Sequence, residues 1–392
     1  MHSFQSDYTM AIVILFIVLF FLLPDLYISL VLMKDAAWWA HVLLWLPTIV
    51  VLGLMLTFKG GISATKIQLF SVLALCFALP KIAFAVLSLL GRLLGHVWSQ
   101  AAFFGNSFGV IVASSIALLA VYGVFFGWKA LTVKEVKLSF PDLPEAFDGY
   151  RIVQLSDLHV GTYGDKTAYL EKIVHRVNDE QADLVVFTGD LINLSPEEIS
   201  PFEEVLSELK AKDGVLSVLG NHDYGIYGMS RRQPSDIREV ATPVIEAEQR
   251  MGWELLLNEH RFIHRGADSL AVVGVENTSK PPFPNIGDLK GAMAGIPEGT
   301  FTILLSHDPT HWRMEVVPET DIPLMLAGHT HAMQFKIGSW SPVKWIYPEW
   351  SGLYDKGSQQ LYVSEGIGGG FPFRLGTKPE IVVITLERDA TK

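Results

Sequence analysis

The fold of this chain is decided by the stretch Arg151-Ile152-Val153-Gln154-Leu155-Ser156-Asp157-Leu158-His159, in which an apolar run leads directly into an Asp-x-His motif. A short β-branched run that ends at polar residues is typical of a buried strand. Polar side chains that follow such a strand lie in the loop at its carboxyl end, where open α/β sheets hold their functional groups. The stretch therefore predicts an α/β domain whose chemistry lies at strand ends.

The same arrangement recurs along the chain. Further strands are predicted at Leu184–Thr188, Val215–Leu219, Ser269–Val275, Phe301–Ser306 and Ile322–Ala327, and helices at Thr167–Glu180 and Pro196–Lys210. Four of these strands lead into polar motifs, which are Gly189-Asp190, Gly220-Asn221-His222-Asp223, Ser306-His307-Asp308 and Gly328-His329-Thr330-His331. Because strands alternate with helices, we expect sheets covered by helices, with five strand ends facing one site.

The residue types at these strand ends indicate a metal site. Carboxylate, amide and imidazole groups without thiolate suit manganese, iron or zinc, and one carboxylate such as Asp190 can bridge two ions. The glycines at 189, 220 and 328 are expected to let the backbone turn sharply beside the ions. Taken singly, Gly-Asp or Gly-Asn is usually only a turn, and His307 alone resembles a core histidine. The motifs together favour the metal site, because turns do not require Asp-x-His or His-x-His.

In this order, Asp-x-His, Gly-Asp, Gly-Asn-His-Asp, a lone His and Gly-His-x-His resemble the calcineurin-like metallophosphoesterase family, over about residues 150–387. The likeness is greatest to the bacterial-type branch with N-terminal membrane segments, several of whose members act on lipid-linked phosphate compounds. The resemblance implies an α/β four-layer sandwich, in which two mixed β-sheets pack face to face between helices, over residues 150–392.

The resemblance also implies roles for the motif residues. One divalent ion would be held by Asp157, His159 and His331, a second by Asn221, His307 and His329, and Asp190 would bridge the two. A hydroxide shared by the ions would attack phosphorus. His222 would act as the general acid that protonates the leaving oxygen, and Asp223 is a candidate to orient its ring. The histidines at 175, 260, 264 and 311 match no motif, so we expect structural or solvated roles for them.

A glycine-rich segment, Gly366-Ile367-Gly368-Gly369-Gly370-Phe371-Pro372-Phe373-Arg374, follows near the end of the chain. In related enzymes the corresponding segment lies near the active site. Phe371 and Phe373 are therefore candidates to contact an apolar part of the substrate, and Arg374 to contact a phosphate. An ordinary loop anchored by its aromatic residues is an equal alternative. The chain also departs from many relatives, which continue Gly-His-x-His with Gly-Gly where this chain has Ala332-Met333.

Residues 1–128 have a different composition and are predicted to form a transmembrane region. Four apolar stretches, at about 10–33, 38–58, 67–90 and 108–128, each approach the ~20 residues that a helix needs to cross a bilayer. Pro80 and Lys81 lie near the middle of the third, where a broken or shifted helix or a functional cavity is expected. Residues 129–149 are assigned to a linker and the first strand.

The distribution of positive charge predicts that the catalytic domain lies in the cytoplasm. Four crossings put that domain on the same side as Lys59 and Lys66, together with Lys129, Lys134 and Lys137, whereas the opposite loops offer only Lys34 and Arg92. We therefore expect an integral protein of the cell or inner membrane.

The charge balance and the single cysteine exclude other classes. Residues 129–392 carry a net charge of −13 within a total of −11, which disfavours a nucleic-acid partner. Cys76 is the only cysteine, so the chain has no intrachain disulfide and no cysteine-based metal site.

Two hypotheses follow from these observations. The first is a membrane-anchored two-metal hydrolase that cleaves a phosphate mono- or diester, with a lipid-linked substrate favoured because the anchor concentrates the enzyme at the bilayer. The alternative is a membrane receptor or scaffold whose metal domain binds a phosphorylated ligand without turnover. Membrane lipids are expected partners in both, and the oligomeric state is left open.

Overall fold

A computed structural model describes residues 15–57, 63–227 and 237–389 of the chain. The chain divides into two compact units, an N-terminal unit of Met1–Phe126 and a C-terminal unit of Gly127–Lys392. Two parts of the predicted spans, residues 10–14 and Phe58, lie outside the described residues. So does Lys59, one of the cations used to predict the membrane topology.

Four helices at the start of the chain are long and apolar enough to cross a membrane. Their bounds are Leu15–Leu32, Trp38–Thr57, Ala64–Leu94 and Ala101–Lys129. The third helix continues through Pro80, because a π-helical turn at Ala74–Ala78 precedes the α-helix Leu79–Leu94. Such a turn changes the local hydrogen-bond pattern where a proline lacks its N–H group.

Lys81 lies among the helices of the N-terminal unit and forms an ion pair. Its Nζ lies 2.6 Å from Oδ1 of Asp25 in the first helix and donates to the carbonyl oxygen of Leu44 in the second at 2.6 Å. The hydroxyl of Thr48 donates to the other carboxylate oxygen of Asp25 at 2.6 Å. Asp25 is fully buried. The contacts of Lys81 therefore connect three of the four helices.

The third and fourth helices approach closely at two glycines. A β-carbon at Gly91 would lie 2.7 Å from the carbonyl oxygen of Ala101 and 2.8 Å from Cα of Gly105. Small residues at such a crossing allow helix backbones to pack directly in a membrane. This contact requires glycine.

The C-terminal unit contains two mixed six-stranded sheets, which confirms the predicted fold class. The first sheet has the strand order β1-β12-β2-β3-β4-β5 and the second β10-β11-β9-β8-β7-β6. The strands are β1 Thr132–Phe140, β2 Arg151–Leu155, β3 Leu184–Phe187, β4 Val215–Ser217, β5 Glu254–Leu255, β6 Glu259–Arg265, β7 Asp268–Gly274, β8 Thr302–Leu305, β9 Leu324–Ala327, β10 Gly352–Lys356, β11 Gln359–Val363 and β12 Glu380–Arg388.

Alternate residues of each strand pack on opposite faces and so build the layers. In β3, Leu184 and Val186 pack in the cluster between the sheets, where residues of both sheets meet. Val185 and Phe187 face the other way, onto a cluster that includes the helices Ala168–Asp179 and Ile237–Arg250. The second sheet buries its outer face against helical segments that include Trp312–Val316. The result is four layers, as expected when sheets are covered by helices.

The predicted helix Pro196–Lys210 is interrupted. The chain forms a 3₁₀ turn at Pro196–Ile199 and a single α-helical turn at Glu203–Leu206. Pro201 lies between them, and a proline within a helix removes a backbone donor and clashes with the preceding turn. Other short helical segments occur at Leu289–Ala292 and Val317–Glu319.

Candidate metal centre

The loops after β2, β3, β8 and β9 bring together six of the seven predicted ligands, and the seventh, Asn221, lies in the loop after β4. Five of those residues have a backbone φ in the left-handed region, which non-glycine residues rarely adopt. They are Asp157 (φ 55°), His159 (φ 44°), Asp190 (φ 62°), His329 (φ 73°) and His331 (φ 48°). Such strain persists where the surrounding structure fixes it, and it is concentrated at functional sites.

Two groups of side chains can each hold a cation, and they share Asp190. The first group is Asp157, His159, Asp190 and His331, and the second is Asp190, His307 and His329; within each, the donor atoms lie within 4.8 Å of one another. Oδ2 of Asp190 lies 3.5 Å from Nε2 of His159 and 3.2 Å from Nε2 of His307. A single carboxylate between two sets of imidazoles is the arrangement that a bridging ligand requires.

Backbone carbonyl oxygens orient two of the imidazoles. Nδ1 of His159 donates to the carbonyl oxygen of Ile192 at 3.0 Å, and Nδ1 of His307 donates to that of Thr188 at 2.7 Å. Each bond fixes the tautomer in which Nε2 holds the free electron pair that a metal needs.

Asn221 provides a direct test of whether a cation fits the second group. Its Nδ2 donates to the hydroxyl of Tyr227 at 2.9 Å, which identifies Oδ1 as the atom left for another partner. Oδ1 is buried and has no hydrogen-bond partner within the described part of the chain. A buried amide oxygen without a partner is costly, and a cation bound there would satisfy it. The donor set therefore fits a metal ion.

The electrostatics of the site also suit cations. Burial lowers the pKa of His159 to about 3 and that of His329 to about 4, so both rings are neutral ligands at pH 7. Burial alone would raise the pKa of Asp190, but the positive charges of His307 and His222 hold it well below its ordinary value. Against the effect of burial, the charge of Asp190 raises the pKa of His307 to about 10. A bound cation would replace the proton of His307 as the partner of Asp190.

His222 lies beside the first group of ligands, but Asp223 does not orient its ring. The ring centroid of His222 is 4.7 Å from that of His159, and its Nδ1 donates to the carbonyl oxygen of Asn193 at 2.6 Å. Asp223 instead accepts hydrogen bonds from the backbone N–H groups of residues 190, 191, 192 and 220. The prediction that Asp223 orients the His222 ring was therefore wrong, and its carboxylate holds two site loops together.

The three predicted glycines act in two ways. Gly189 has a φ of 91°, which only glycine adopts readily, so it turns the chain as predicted. Gly220 and Gly328 have no positive φ, and a β-carbon at these positions would collide with Asp190 and with Ser156 and Asp157 respectively. They provide space for the ligand loops rather than a sharp turn.

Several residues at the site carried no signal in the sequence. Nε2 of His329 lies 2.7 Å from the hydroxyl of Tyr347 and 3.6 Å from Oδ2 of Asp308. The rings of Phe283 and His329 are perpendicular, with centroids 5.0 Å apart. The hydroxyl of Ser279 donates to the same Asp308 oxygen at 2.6 Å. Of these residues, only Asp308 could have been predicted from the sequence, because it directly follows the predicted ligand His307.

Arg374 is occupied by the glycine-rich segment. Its side chain is 1% exposed, and its guanidinium donates to the carbonyl oxygens of Glu365, Gly366 and Gly368. All three bonds come from Nη2, and Nη1 donates to the carbonyl oxygen of Lys378 at 3.3 Å, so both terminal nitrogens bind the backbone rather than a phosphate. Phe371 and Phe373 stack on each other with centroids 6.1 Å apart, and Phe373 is buried. Phe373 therefore packs within this loop, and contact of Phe371 and Phe373 with an apolar part of the substrate stays a prediction.

Two of the four histidines outside the motifs, His260 and His311, have hydrogen-bond partners of their own. His311 is fully buried, with Nδ1 2.9 Å from the hydroxyl of Ser306 and Nε2 2.9 Å from Glu315. Nδ1 of His260 donates to the carbonyl oxygen of Ala292 at 2.7 Å. Both are structural, as expected.

Comparison with known proteins identifies a family whose members are similar to this chain in sequence. The sequence profile described as calcineurin-like phosphoesterase matches residues 150–333. The chain is 31% identical over 317 residues to the transmembrane protein with metallophosphoesterase domain of Danio rerio, covering 78% of this chain and 69% of that protein. It is 29% identical over 302 residues to the uncharacterized metallophosphoesterase YkuE of Bacillus subtilis, covering 74% and 98%. An uncharacterized metallophosphoesterase of Helicobacter pylori is 30% identical over 276 residues, covering 69% and 68%.

Proposed function

This chain belongs to the calcineurin-like metallophosphoesterase family and is a phosphoric ester hydrolase with membrane-spanning helices, and we propose that it uses two divalent ions to cleave a phosphate mono- or diester. One ion would be held by Asp157, His159, Asp190 and His331. The other would be held by Asp190, Asn221, His307 and His329. Manganese, iron and zinc suit this mixed nitrogen and oxygen set.

One observation carries the proposal, which is that Asp190 belongs to both donor groups. Two sites that share a carboxylate hold their ions close enough to act on one phosphoryl group. When bound, such a pair polarises the phosphoryl oxygens and makes a strong nucleophile available near neutral pH. The backbone N–H of His222 donates to Oδ1 of Asp190 at 2.8 Å, which fixes the bridging carboxylate in place.

His222 is proposed as the general acid. Because its Nδ1 donates to the carbonyl oxygen of Asn193, its Nε2 is the atom that carries a proton to the leaving oxygen. The ring of Tyr227 packs against that of His222, with centroids 4.3 Å apart, and restricts its movement. A held ring places its proton at a fixed point, which is what proton transfer in a transition state requires.

The substrate is proposed to be a phosphoester at or in a membrane. The chain carries four helices that can span a bilayer, and the last of them, Ala101–Lys129, is followed by β1 at Thr132. So short a connection keeps the hydrolase within reach of the lipid surface. The cations near the ends of the spans favour a cytoplasmic hydrolase.

The hydrolase activity can be tested on purified full-length protein. With manganese, we expect hydrolysis of an aryl phosphodiester or an aryl phosphomonoester, and the two compared side by side give the preference. Asp190→Asn should abolish turnover and metal binding, because it removes the shared ligand. Asp355→Asn, a change of the same type at an exposed position, is the control. Turnover that survives in Asp190→Asn would defeat the assigned site.

Two further experiments address the substrate and the topology. A comparison of lipids and phosphorylated metabolites between a wild-type strain and an Asp190→Asn strain should show one phosphoester that accumulates. Accumulation of a soluble ester alone would contradict a lipid-linked substrate. Reporter fusions after Lys392 test the orientation, and an extracytoplasmic signal would overturn the cytoplasmic placement.

A further inference from the structure

The exposed apolar residues of the C-terminal unit are concentrated in one segment. Among its described residues, six large apolar side chains are exposed, and four of them lie between positions 333 and 346. They are Met333 (50% exposed), Ile337 (64%), Trp345 (75%) and Ile346 (64%). Soluble surfaces rarely group such side chains, and an exposed apolar group of this kind marks a surface that contacts something.

These residues belong to one continuous structure, which we call the apolar rim (residues 333–346). Ile337 pairs with Trp340 through backbone hydrogen bonds, and the rings of Trp340 and Trp345 meet with centroids 5.5 Å apart. The hydroxyl of Ser341 donates to the carbonyl oxygen of Ala332 at 2.8 Å and closes the segment on itself. The exposed side chains are therefore displayed on a fixed frame.

The backbone at the start of the rim is strained. Ala332 and Met333 have φ values of 49° and 50°, in the region that favours glycine. Because Met333 is exposed, burial of its side chain does not offset the free-energy cost of this backbone conformation. Backbone strain of this kind is concentrated at functional sites. The rim thus holds Met333 outward at a conformational cost.

The charge of the rim is opposite to that of the unit that contains it. Residues 332–348 include Lys336 and Lys344 and no Asp or Glu, whereas residues 129–392 carry a net charge of −13. Lys336 pairs with Glu365, and Lys344 is exposed beside Trp345. Tryptophan and lysine together prefer the interface between headgroups and acyl chains, and anionic lipids attract the lysine.

The rim is also continuous with the metal centre. It begins directly after His331 and Ala332, and it ends directly before Tyr347, whose hydroxyl lies 2.7 Å from Nε2 of His329. Whatever the rim contacts is therefore brought beside the catalytic residues.

We propose that the apolar rim inserts into the surface of the bilayer that holds the spans and presents the metal centre to phosphoesters of that lipid surface. The occupant follows from the composition, because the rim combines apolar, aromatic and cationic side chains, and from the direct connection of the unit to a membrane-spanning helix. Insertion rests on the rim alone, while the substrate class rests on the proposed function.

Insertion is tested on the full-length chain in vesicles of phosphatidylcholine, with and without phosphatidylglycerol. In a Cys76→Ala background, a nitroxide is attached at Ile346→Cys, and at Glu298→Cys in an exposed loop as the control. We expect the label at 346 to meet dissolved oxygen more often than a water-soluble nickel chelate, and the label at 298 to show the reverse. Preference for the chelate at 346 would overturn insertion. Dipolar broadening at 346 would indicate a second copy of the chain and would also overturn it.

A kinetic test separates the rim from the chemistry. The variant Trp345→Ser/Ile346→Ser should keep wild-type turnover of a soluble aryl phosphate and show a KM roughly tenfold higher for a phosphoester carried in vesicles, since two large apolar contacts with lipid are lost. Met314→Ser, an exposed apolar residue outside the rim, should change neither rate. Equal loss with both substrates, or no loss with either, would reject the proposal. Absence of aryl phosphate turnover in the wild type would instead reject the proposed function.

Discussion

The Nδ1 atom of His222 lies 2.6 Å from the backbone carbonyl oxygen of Asn193, in the loop that follows Asp190, the proposed bridging ligand. A carbonyl oxygen can only accept, so the Nδ1 proton is committed to this bond. The loop that places the proposed shared metal ligand therefore also places the proposed general acid. Nε2 is left as the atom that exchanges a proton with substrate.

Replacement of His222 by Ala should slow turnover by a factor of roughly 10² to 10⁴, the range expected for loss of a general acid. The loss should be large for an alkyl phosphate and small for a nitrophenyl phosphate, because nitrophenolate leaves without a proton. Steady-state rates over a series of leaving groups measure this contrast. Metal content by mass spectrometry should equal that of the wild type. A uniform loss across the series would show that His222 acts in some other way.

Removal of divalent ions should destabilise the C-terminal unit. A ligand that binds only the folded state stabilises it in proportion to the logarithm of its concentration, by about 2.7 kcal/mol at a hundredfold excess over Kd. We expect the thermal midpoint to fall after chelation and to rise again with added manganese. Asp190→Asn should show no manganese-dependent shift, and a shift that persists in that variant would place the ions elsewhere.

Glu248 should make the stability of the C-terminal unit decrease as the pH rises. Its side chain is fully buried, receives a hydrogen bond from the hydroxyl of Ser217 at 2.5 Å, and has a pKa raised well above 4.5 by burial. A group with a raised folded pKa contributes full stability below its unfolded pKa and loses it as pH increases toward the folded value. The expected slope above pH 4.5 is up to about 1.4 kcal/mol per pH unit.

The variant Glu248→Gln should remove this pH-dependent loss of stability. The thermal midpoint of the variant should therefore rise relative to that of the wild type as the pH increases. Glu246→Gln, at an exposed position of the same helix, is the matched control. Parallel pH profiles for the wild type and Glu248→Gln would contradict the prediction.

Loss of Lys81 should destabilise the N-terminal unit. Lys81→Met leaves the carboxylate of Asp25 buried without its cation, and breaking a buried pair costs about 3–5 kcal/mol. Thermal unfolding of the full-length chain in detergent, followed by size-exclusion chromatography, measures the effect. The double variant Asp25→Asn/Lys81→Met should recover part of the loss, because no charge is then left unpaired. A double variant as unstable as the single one would argue against the pair.

Arg374→Lys should destabilise the glycine-rich segment, although it keeps the charge. Nη2 donates to the carbonyl oxygens of Glu365, Gly366 and Gly368, while Nη1 donates to that of Lys378, and the single nitrogen of an ammonium group cannot occupy both positions. We expect a loss of roughly 2–3 kcal/mol in the free energy of unfolding, measured by denaturant titration. A stable variant with a raised KM would instead support the phosphate contact that the sequence suggested.

The strands that lead into the motifs were predicted from sequence because their signal is local. β2, β3 and β9 are short apolar runs, and the polar residues that follow them mark where each ends. The strands β5, β6, β10, β11 and β12 were missed, since β5 has only two residues and the others are more mixed in polarity or lie outside the polar motifs. Pro201 broke a predicted helix, which shows that a single residue can override a favourable pattern.

The sequence by itself determined the chemistry of this protein, because ligand type, spacing and apolar length are properties of residues close together in the chain. Only the tertiary structure decided that Asn193 rather than Asp223 orients His222, that Asp25 neutralises Lys81, and that Arg374 binds backbone. Each of these depends on which groups meet when distant segments pack, and burial then obliges each polar group to find a partner. No local pattern encodes such a partner.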